Sequence, residues 1–131
     1  MAITNNDLYP RDKWNFVFGL ANLANRCAVF SFARHAVATL ESEWMSEEAI
    51  DLTWRKRACS TMVHEIAHMF GLSHCIYYEC KMNGSNGSFE FVKHPNRTLC
   101  AVCLAKLKLN CKFDCRERYA RLIEISNQLG F

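Results

Sequence analysis

The pattern of hydrophobic and polar positions divides the chain into an early strand-like part and a later helical part. Residues 14–20 run Trp14-Asn15-Phe16-Val17-Phe18-Gly19-Leu20, aromatic and β-branched up to a glycine, which predicts a strand. Asn22 to Arg26 read as a polar turn. Cys27 to Ala33 read as a second strand, with Ala28, Phe30 and Phe32 on one face and Val29 and Ser31 on the other. The two would pair as a hairpin or as neighbours, and residues 1–10 would be the end of a strand and a turn closing at Tyr9-Pro10. From residue 36 the period changes. Leu40, Trp44, Ile50, Leu52 and Trp54 are interspersed with Glu41, Glu43, Glu47, Glu48 and Asp51. This predicts a helix or broken helix over 36–56 with Ser46 as an N-cap. Over residues 56–70, Ala58, Met62, Ile66 and Met69 recur at helical spacing, as do Val63, Ala67 and Phe70, so two adjoining stripes are expected to bury. Gly71 is the stop.

Beyond that helix the pattern breaks up. Residues 75–100 are loop-rich, with a strong turn signal at Asn83-Gly84-Ser85-Asn86-Gly87-Ser88 and a short strand expected at Phe89 to Val92. Cys100 to Leu109 read as a short helix with Leu104 and Leu107 inward and Lys106 and Lys108 outward. Asp114, with Glu117 three residues on, makes a capping box for a last helix closed by Gly130. Tyr119, Leu122, Ile123 and Ile125 are expected to pack, and Glu117 to pair with Arg121 at i,i+4. There is no internal repeat and no long linker.

Length and composition narrow the picture. The 131 residues allow one domain with a modest core, and half of them are hydrophobic, so the chain is globular. A net charge of +3, with no basic run longer than Arg55-Lys56-Arg57, argues against nucleic acid as a partner. Polar Thr4, Asn5, Asn6 and Asp7 follow the start where an export signal would be apolar, and no stretch approaches a membrane span. The expectation is a cytoplasmic chain, also compatible with the nucleus, monomeric and away from membranes. The N-x-[ST] sequons at Asn83, Asn86 and Asn96 then read as turn composition rather than glycan sites. Eight cysteines without an export signal point to metal binding before disulfides.

Two constellations carry the chemistry. Residues 64–75 read H-E-x-x-H-x-x-G-x-x-H-C. His64 and His68 are four apart and share a helix face, Glu65 lies beside them within reach of a metal-bound water, and the turn at Gly71 can return His74 to the same ion. Three imidazoles with one open position suit a catalytic zinc, whereas the plain alternative is a helix with surface histidines and a C-cap glycine. The second constellation is Cys75-x4-Cys80 with Cys100-x2-Cys103, which suits a closed four-thiolate zinc against the alternative of four clustered thiols. Cys111-x3-Cys115 would suit an i,i+4 pair without an obvious partner pair, so with Cys27 and Cys59 these are expected to be free thiols. His35 and His94 read as ordinary hydrogen-bonding histidines.

From His64 to Cys103 the order is H-E-x-x-H-x-x-G-x-x-H-C-x4-C-x-M-x17-C-x2-C, with Met82 at the methionine. This resembles the archaemetzincin signature. Asp7-Leu8-Tyr9, Asn15-Phe16-Val17-Phe18-Gly19 and Phe30-Ser31-Phe32-Ala33-Arg34 also look like that family. The resemblance implies an α+β, metzincin-like catalytic domain with a partial mixed sheet and an active-site helix. It implies one unit over 1–131, with the sheet remnant and active-site helix in 1–71 and a C-terminal subdomain carrying the four-cysteine zinc in 72–131. It further implies a catalytic zinc on His64, His68 and His74, Glu65 as general base, and Met82 beneath that zinc in a Met-turn. A structural zinc would sit on Cys75, Cys80, Cys100 and Cys103, making two zinc ions per chain, and residues 14–19 would be the edge strand lining the substrate cleft. The chain departs from the family in starting near the end of its third strand, as an N-terminally truncated member would. It also has Ala67 where glycine is usual and Ala101 where proline is common. The activity implied is hydrolysis of peptide or protein substrates by zinc-activated water. The alternative is a weakly active or inactive zinc-binding scaffold. Because His74 and Cys75 are adjacent, the four-cysteine zinc is expected to clamp the loop that carries the third histidine and Met82.

Overall fold

The chain is described by a computed structural model over residues 1–36, 42–84 and 98–130. Its short strands find partners through space. β1 (Ala2–Thr4) lies parallel to β3 (Cys27–Ser31), and β2 (Gly19–Asn22) lies antiparallel on the other side of β3, giving the order β1-β3-β2. The sheet is therefore mixed. β2 and β3 form a hairpin in which Gly19 faces Phe30 and Asn22 faces Cys27. The Asn22 side chain caps the turn by accepting from Asn25 N–H at 2.9 Å, and Arg26 takes a left-handed conformation at φ 49°.

The strand expected over 14–20 begins later, at Gly19, and takes in Asn22, which the sequence pattern had assigned to the turn. Residues 14–18 instead run as an irregular segment. It is held by a single bridge between Val17 and Leu8 and by Ser31 N–H donating to the Phe18 carbonyl at 2.9 Å. Its aromatic residues pack on side chains more than on a neighbouring strand. Phe16 and Phe18 meet edge to face at 5.2 Å, and the Arg34 guanidinium lies 4.7 Å from the centre of the Phe16 ring. Arg34 also donates through Nε to Asp7 at 2.8 Å, tying the segment to the end of β3 and holding the Asp7 carboxyl below its usual range. The second strand keeps its expected faces, with Ala28 and Phe30 buried. His35, read from the sequence as an ordinary hydrogen-bonding histidine, sits in the core. It is fully buried, with its ring 5.1 Å from Phe18 and 5.3 Å from Phe30, and burial pushes its pKa down to about 4.

One helix, α1 (Glu47–Met69), joins the later part of the helix or broken helix expected over 36–56 to the metal helix expected over 56–70, while residues 37–41 of that expectation lie outside the described residues. Ser46 Oγ caps its first turn through Ala49 N–H at 3.3 Å, with Glu47 and Glu48 complementing the helix dipole. Gly71, at φ 85°, turns the chain away from its end. The buried side of α1 follows the pair of apolar stripes only at Ala58 and Ala67. Ala58, Thr61, Glu65 and His68 recur at helical spacing and are buried, and α1 packs on β2 and β3. Val63 and Phe70 remain 50% and 48% exposed, because the face turned to the sheet is the one that carries the polar groups of the motif.

After the loop come α2 (Ala101–Cys111) and α3 (Cys115–Leu129). The Asp114 cap forms as expected, accepting from Arg116 and Glu117 N–H groups at 2.9 and 3.0 Å. The packing does not form: α3 buries none of its residues, and Tyr119, Leu122, Ile123 and Ile125 stay exposed because no described element covers them. Arg121 pairs with Glu124, not Glu117. Cys111 and Cys115 fall on different helices, so they are no i,i+4 pair. The strand expected at Phe89 to Val92, and His94, lie outside the described residues. A core cluster is formed by Ala67, Leu72, Cys75, Cys80, Met82 and Cys103, with Leu99 and Leu107 against it. The Ala67 methyl, where the resemblance has glycine, fills part of that cluster.

Candidate metal centres

Helical geometry brings His64 and His68 together on α1, and the turn at Gly71 returns His74 to them. The three rings lie 4.6–5.2 Å apart centre to centre, and one nitrogen from each falls within 4.8 Å of the others. The outer nitrogens of the helical pair are engaged. His64 Nδ1 lies 2.8 Å from the Lys81 carbonyl and His68 Nδ1 lies 2.5 Å from the Leu72 carbonyl. A carbonyl only accepts, so both Nδ1 atoms carry the proton and both Nε2 atoms present lone pairs when the rings are neutral. Burial favours neutrality, holding His64 at a pKa of about 4 and shifting His68 downward. The two Nε2 atoms face each other at 3.0 Å. In that tautomer the two lone pairs converge on one point, where a cation would satisfy both. The nitrogen–nitrogen edge of a tetrahedral zinc site with bonds of about 2.0–2.1 Å is roughly 3.3 Å, so the donor set fits that ion.

Glu65 points into the same cleft from the buried side of α1 and is 8% exposed. Desolvation raises its pKa to about 7, a value that suits a carboxylate alternately taking and releasing a proton near neutrality. The cleft, about 1050 Å³, runs from Trp14 and Phe16 past Leu20 to His74 and Ile76. His74 is solvent-exposed, so the histidine cluster opens to solvent on that side.

The thiols make the opposite kind of site. One sulfur each from Cys75, Cys80, Cys100 and Cys103 falls within 4.8 Å of the others, and Cys75, Cys80 and Cys103 are buried. Cys75 and Cys100 sulfurs lie 4.0 Å apart, close to the roughly 3.8 Å edge of a tetrahedron with zinc–sulfur bonds of about 2.3 Å. Backbone N–H groups surround them: Cys100 N–H and Met82 N–H donate to Cys80 Sγ at 3.2 and 3.4 Å, and Cys103 N–H donates to Cys100 Sγ at 3.5 Å. Cys100 is also the N-cap of α2. The Cys103 N–H, ahead of the neighbouring thiols, lowers its pKa to about 7, while burial pushes the Cys103 thiol up.

The tripeptide Cys80-Lys81-Met82 joins the two clusters. Cys80 belongs to the thiols, the Lys81 carbonyl orients His64, and Met82 is fully buried with its carbonyl accepting from Cys75 N–H at 2.8 Å. Lys81 Nζ also donates to Ser60 Oγ on α1 at 2.7 Å. The sequence pattern did not expose these links. It read Asn83 only as a turn residue or sequon. In fact its Nδ2 donates to the Cys75 and Tyr78 carbonyls at 2.6 and 2.9 Å, and its Oδ1 accepts from Cys80 N–H at 2.8 Å. Gly84 lets the backbone run under His74, since a Cβ there would lie 3.3 Å from His74 Nδ1. Asn110 on α2 donates to the Phe70 carbonyl at 2.6 Å and so closes the end of the histidine helix. Asn-Gly was the one local signal for this loop, and it reports a turn rather than a brace.

Comparison with known proteins gives consistent matches. The profile of "Peptidase family M54" matches residues 1–109. "Archaemetzincin-2" of Homo sapiens is 39% identical over 143 residues, covering 94% of this chain and 39% of its own length. Among solved structures, a zinc-dependent peptidase from Methanocorpusculum labreanum superposes with a TM-score of 0.63 at 29% identity, over 80% of this chain and 51% of that one. An archaemetzincin from Methanopyrus kandleri superposes with a TM-score of 0.61 at 30% identity, over 85% and 54%. The chain thus spans about two fifths of the length of the curated relatives it matches.

Proposed function

The chain belongs to peptidase family M54, the archaemetzincins, and from that premise we propose that it is a zinc-dependent peptidase acting on peptide or protein substrates. The observation that carries this reading is the pair of Nε2 lone pairs facing each other at 3.0 Å beside a buried carboxyl in an open cleft. His64, His68 and His74 would hold the catalytic zinc, and Cys75, Cys80, Cys100 and Cys103 a structural one, two per chain. When bound at the histidines, zinc supplies Lewis acidity that polarises a peptide carbonyl and makes water a stronger acid. Glu65 takes the proton of the attacking water on a carboxylate oxygen and returns it to the leaving amine. The Lys81 and Leu72 carbonyls keep the two helical imidazoles in the tautomer that leaves Nε2 free. Met82, packed beside Leu72, Cys75 and Cys80, would be the methionine of the Met-turn.

β2 lies at one edge of the sheet and lines the cleft through Gly19, Leu20 and Ala21. An extended substrate would pair with that edge through its backbone. We read residues 1–71 and 72–131 as the two parts of one catalytic unit, acting as a monomer without nucleic acid. No disulfide joins any of the eight cysteines, which supports a reducing compartment such as the cytoplasm, and no described helix is long and apolar enough to cross a membrane.

Glu65→Gln tests the assignment. The variant should keep both zinc ions by elemental analysis and lose about 10²–10⁴-fold in turnover of a peptide library. Undiminished cleavage would remove Glu65 from the mechanism. Two zinc ions with no cleavage by the parent chain would instead favour a zinc-binding scaffold.

A further inference from the structure

Gly19 opens β2 opposite Phe30, in the wall of the cleft. Its backbone gives no reason for glycine: only Gly71 and Gly130 among the described glycines take a positive φ, so any residue could adopt the conformation at position 19. In a strand, glycine weakens the local structure and marks a place where another group approaches closely. Here that group is Glu65. A Cβ on Gly19 would lie 2.6 Å from Glu65 Cγ, 2.8 Å from Cδ and 3.0 Å from Oε1. Two of these separations are shorter than real Cβ contacts show. Cγ is the inner part of the side chain, so turning the carboxylate alone does not relieve the contact. Either the whole Glu65 side chain leaves its place or β2 moves off α1.

We propose that Gly19 is a positioning residue for Glu65: its missing side chain is the space in which the carboxylate stem lies, between strand β2 and the histidine pair. The proposal rests on Glu65 being the base of the peptidase reading. β2 thereby serves two ends. Its outer edge faces the substrate backbone, while its first residue fixes the rotamer of the group that moves the proton. The contact also keeps water from the Glu65 stem, consistent with its burial.

The test is Gly19→Ala, alone and in the Glu65→Ala background, with four readouts on the zinc-loaded chain. Turnover should fall on the order of 100-fold, the usual cost of a misplacement of about 1 Å, while KM and zinc content stay close to those of the parent. The melting temperature should drop with Gly19→Ala in the parent and hardly change in the Glu65→Ala background, because removing Cγ removes the clash. Equal drops in both backgrounds would overturn the proposal, and so would unchanged turnover. Should Gly19→Ala alone fail to fold, a folded double variant supports the proposal and an unfolded one overturns it. If the parent cleaves no peptide, the peptidase reading falls, and the two melting shifts still decide whether Gly19 makes room for Glu65.

Discussion

The two candidate metal centres use adjacent residues, His74 and Cys75, yet they are built in opposite ways. The thiol cluster is enclosed. Three of its four cysteines are buried, backbone N–H groups point at its sulfurs, and Leu72 and Met82 pack around it. The histidine cluster is supported from behind, by two carbonyls and α1, and open in front, where His74 and a large cleft meet solvent. Enclosure on every side suits an ion that holds structure, and an open side suits an ion that meets substrate. The difference also has a direction. We propose that the loop returning His74 is clamped from the thiol side, through Asn83 and the Met82 carbonyl, so that the open site depends on the closed one.

Cys103→Ser presses hardest on that dependence. A structural zinc contributes on the order of 10 kcal/mol to a small fold, so losing a thiolate should abolish binding at the cysteines and lower the melting temperature sharply. It should also weaken zinc at the histidines by tenfold or more, read by chelator competition, although Cys103 is not among the histidine donors. Unchanged affinity at the histidine site would show the two centres to be independent.

Acid should separate the sheet side of the histidine site from the thiol side. His35 has its folded pKa lowered to about 4, so its neutral form is the one the native state keeps. Above the unfolded pKa, near 6.5, both states are neutral and the stabilisation is complete. Between about 6.5 and 4 the unfolded chain takes the proton first, and stability falls with pH by up to ~3 kcal/mol before levelling off. Urea unfolding of the parent and of His35→Phe across pH 7 to 4 isolates this contribution. A difference between the two that does not vary with pH would show that His35 is not held neutral.

Asn83→Asp should have the smallest effect. The substitution is nearly isosteric and keeps an acceptor for Cys80 N–H, but it removes the donor shared by the Cys75 and Tyr78 carbonyls. Thermal melts should show a loss of about 1–3 kcal/mol. Zinc affinity at the histidines should fall less than in Cys103→Ser. A larger loss than in Cys103→Ser would mean that Asn83, and not the thiol site, holds the loop.

The residues of both clusters were legible in the chain because their spacing is local. An i,i+4 pair meets on any helix, and a glycine after it turns the chain in a stereotyped way. The caps at Ser46 and Asp114 were legible for the same reason. The parallel pairing of β1 with β3 was not, since a strand of three residues carries too little pattern to name a partner more than twenty residues away. The buried face of α1 was legible only in part: Ala58 and Ala67 bury as the stripes predict, but polar Thr61, Glu65 and His68 bury too, while apolar Val63 and Phe70 do not. Hydrophobicity says that a face would gain from burial, but not that an element exists to cover it, as the exposed row on α3 shows again.

By itself, then, the sequence determined the candidate donor sets, the helix that carries two histidines and a carboxylate, and the family. These follow from side-chain chemistry and from separations of a few residues along one backbone. The tertiary structure decided which carbonyls fix the imidazole tautomers, that Asn83 braces the thiol loop, and that Glu65 lies in the space left by Gly19. Each of these is a contact between segments far apart in the chain, set by how α1 docks on the sheet and how the loop folds back, and close packing at that scale leaves no periodic trace in the order of residues.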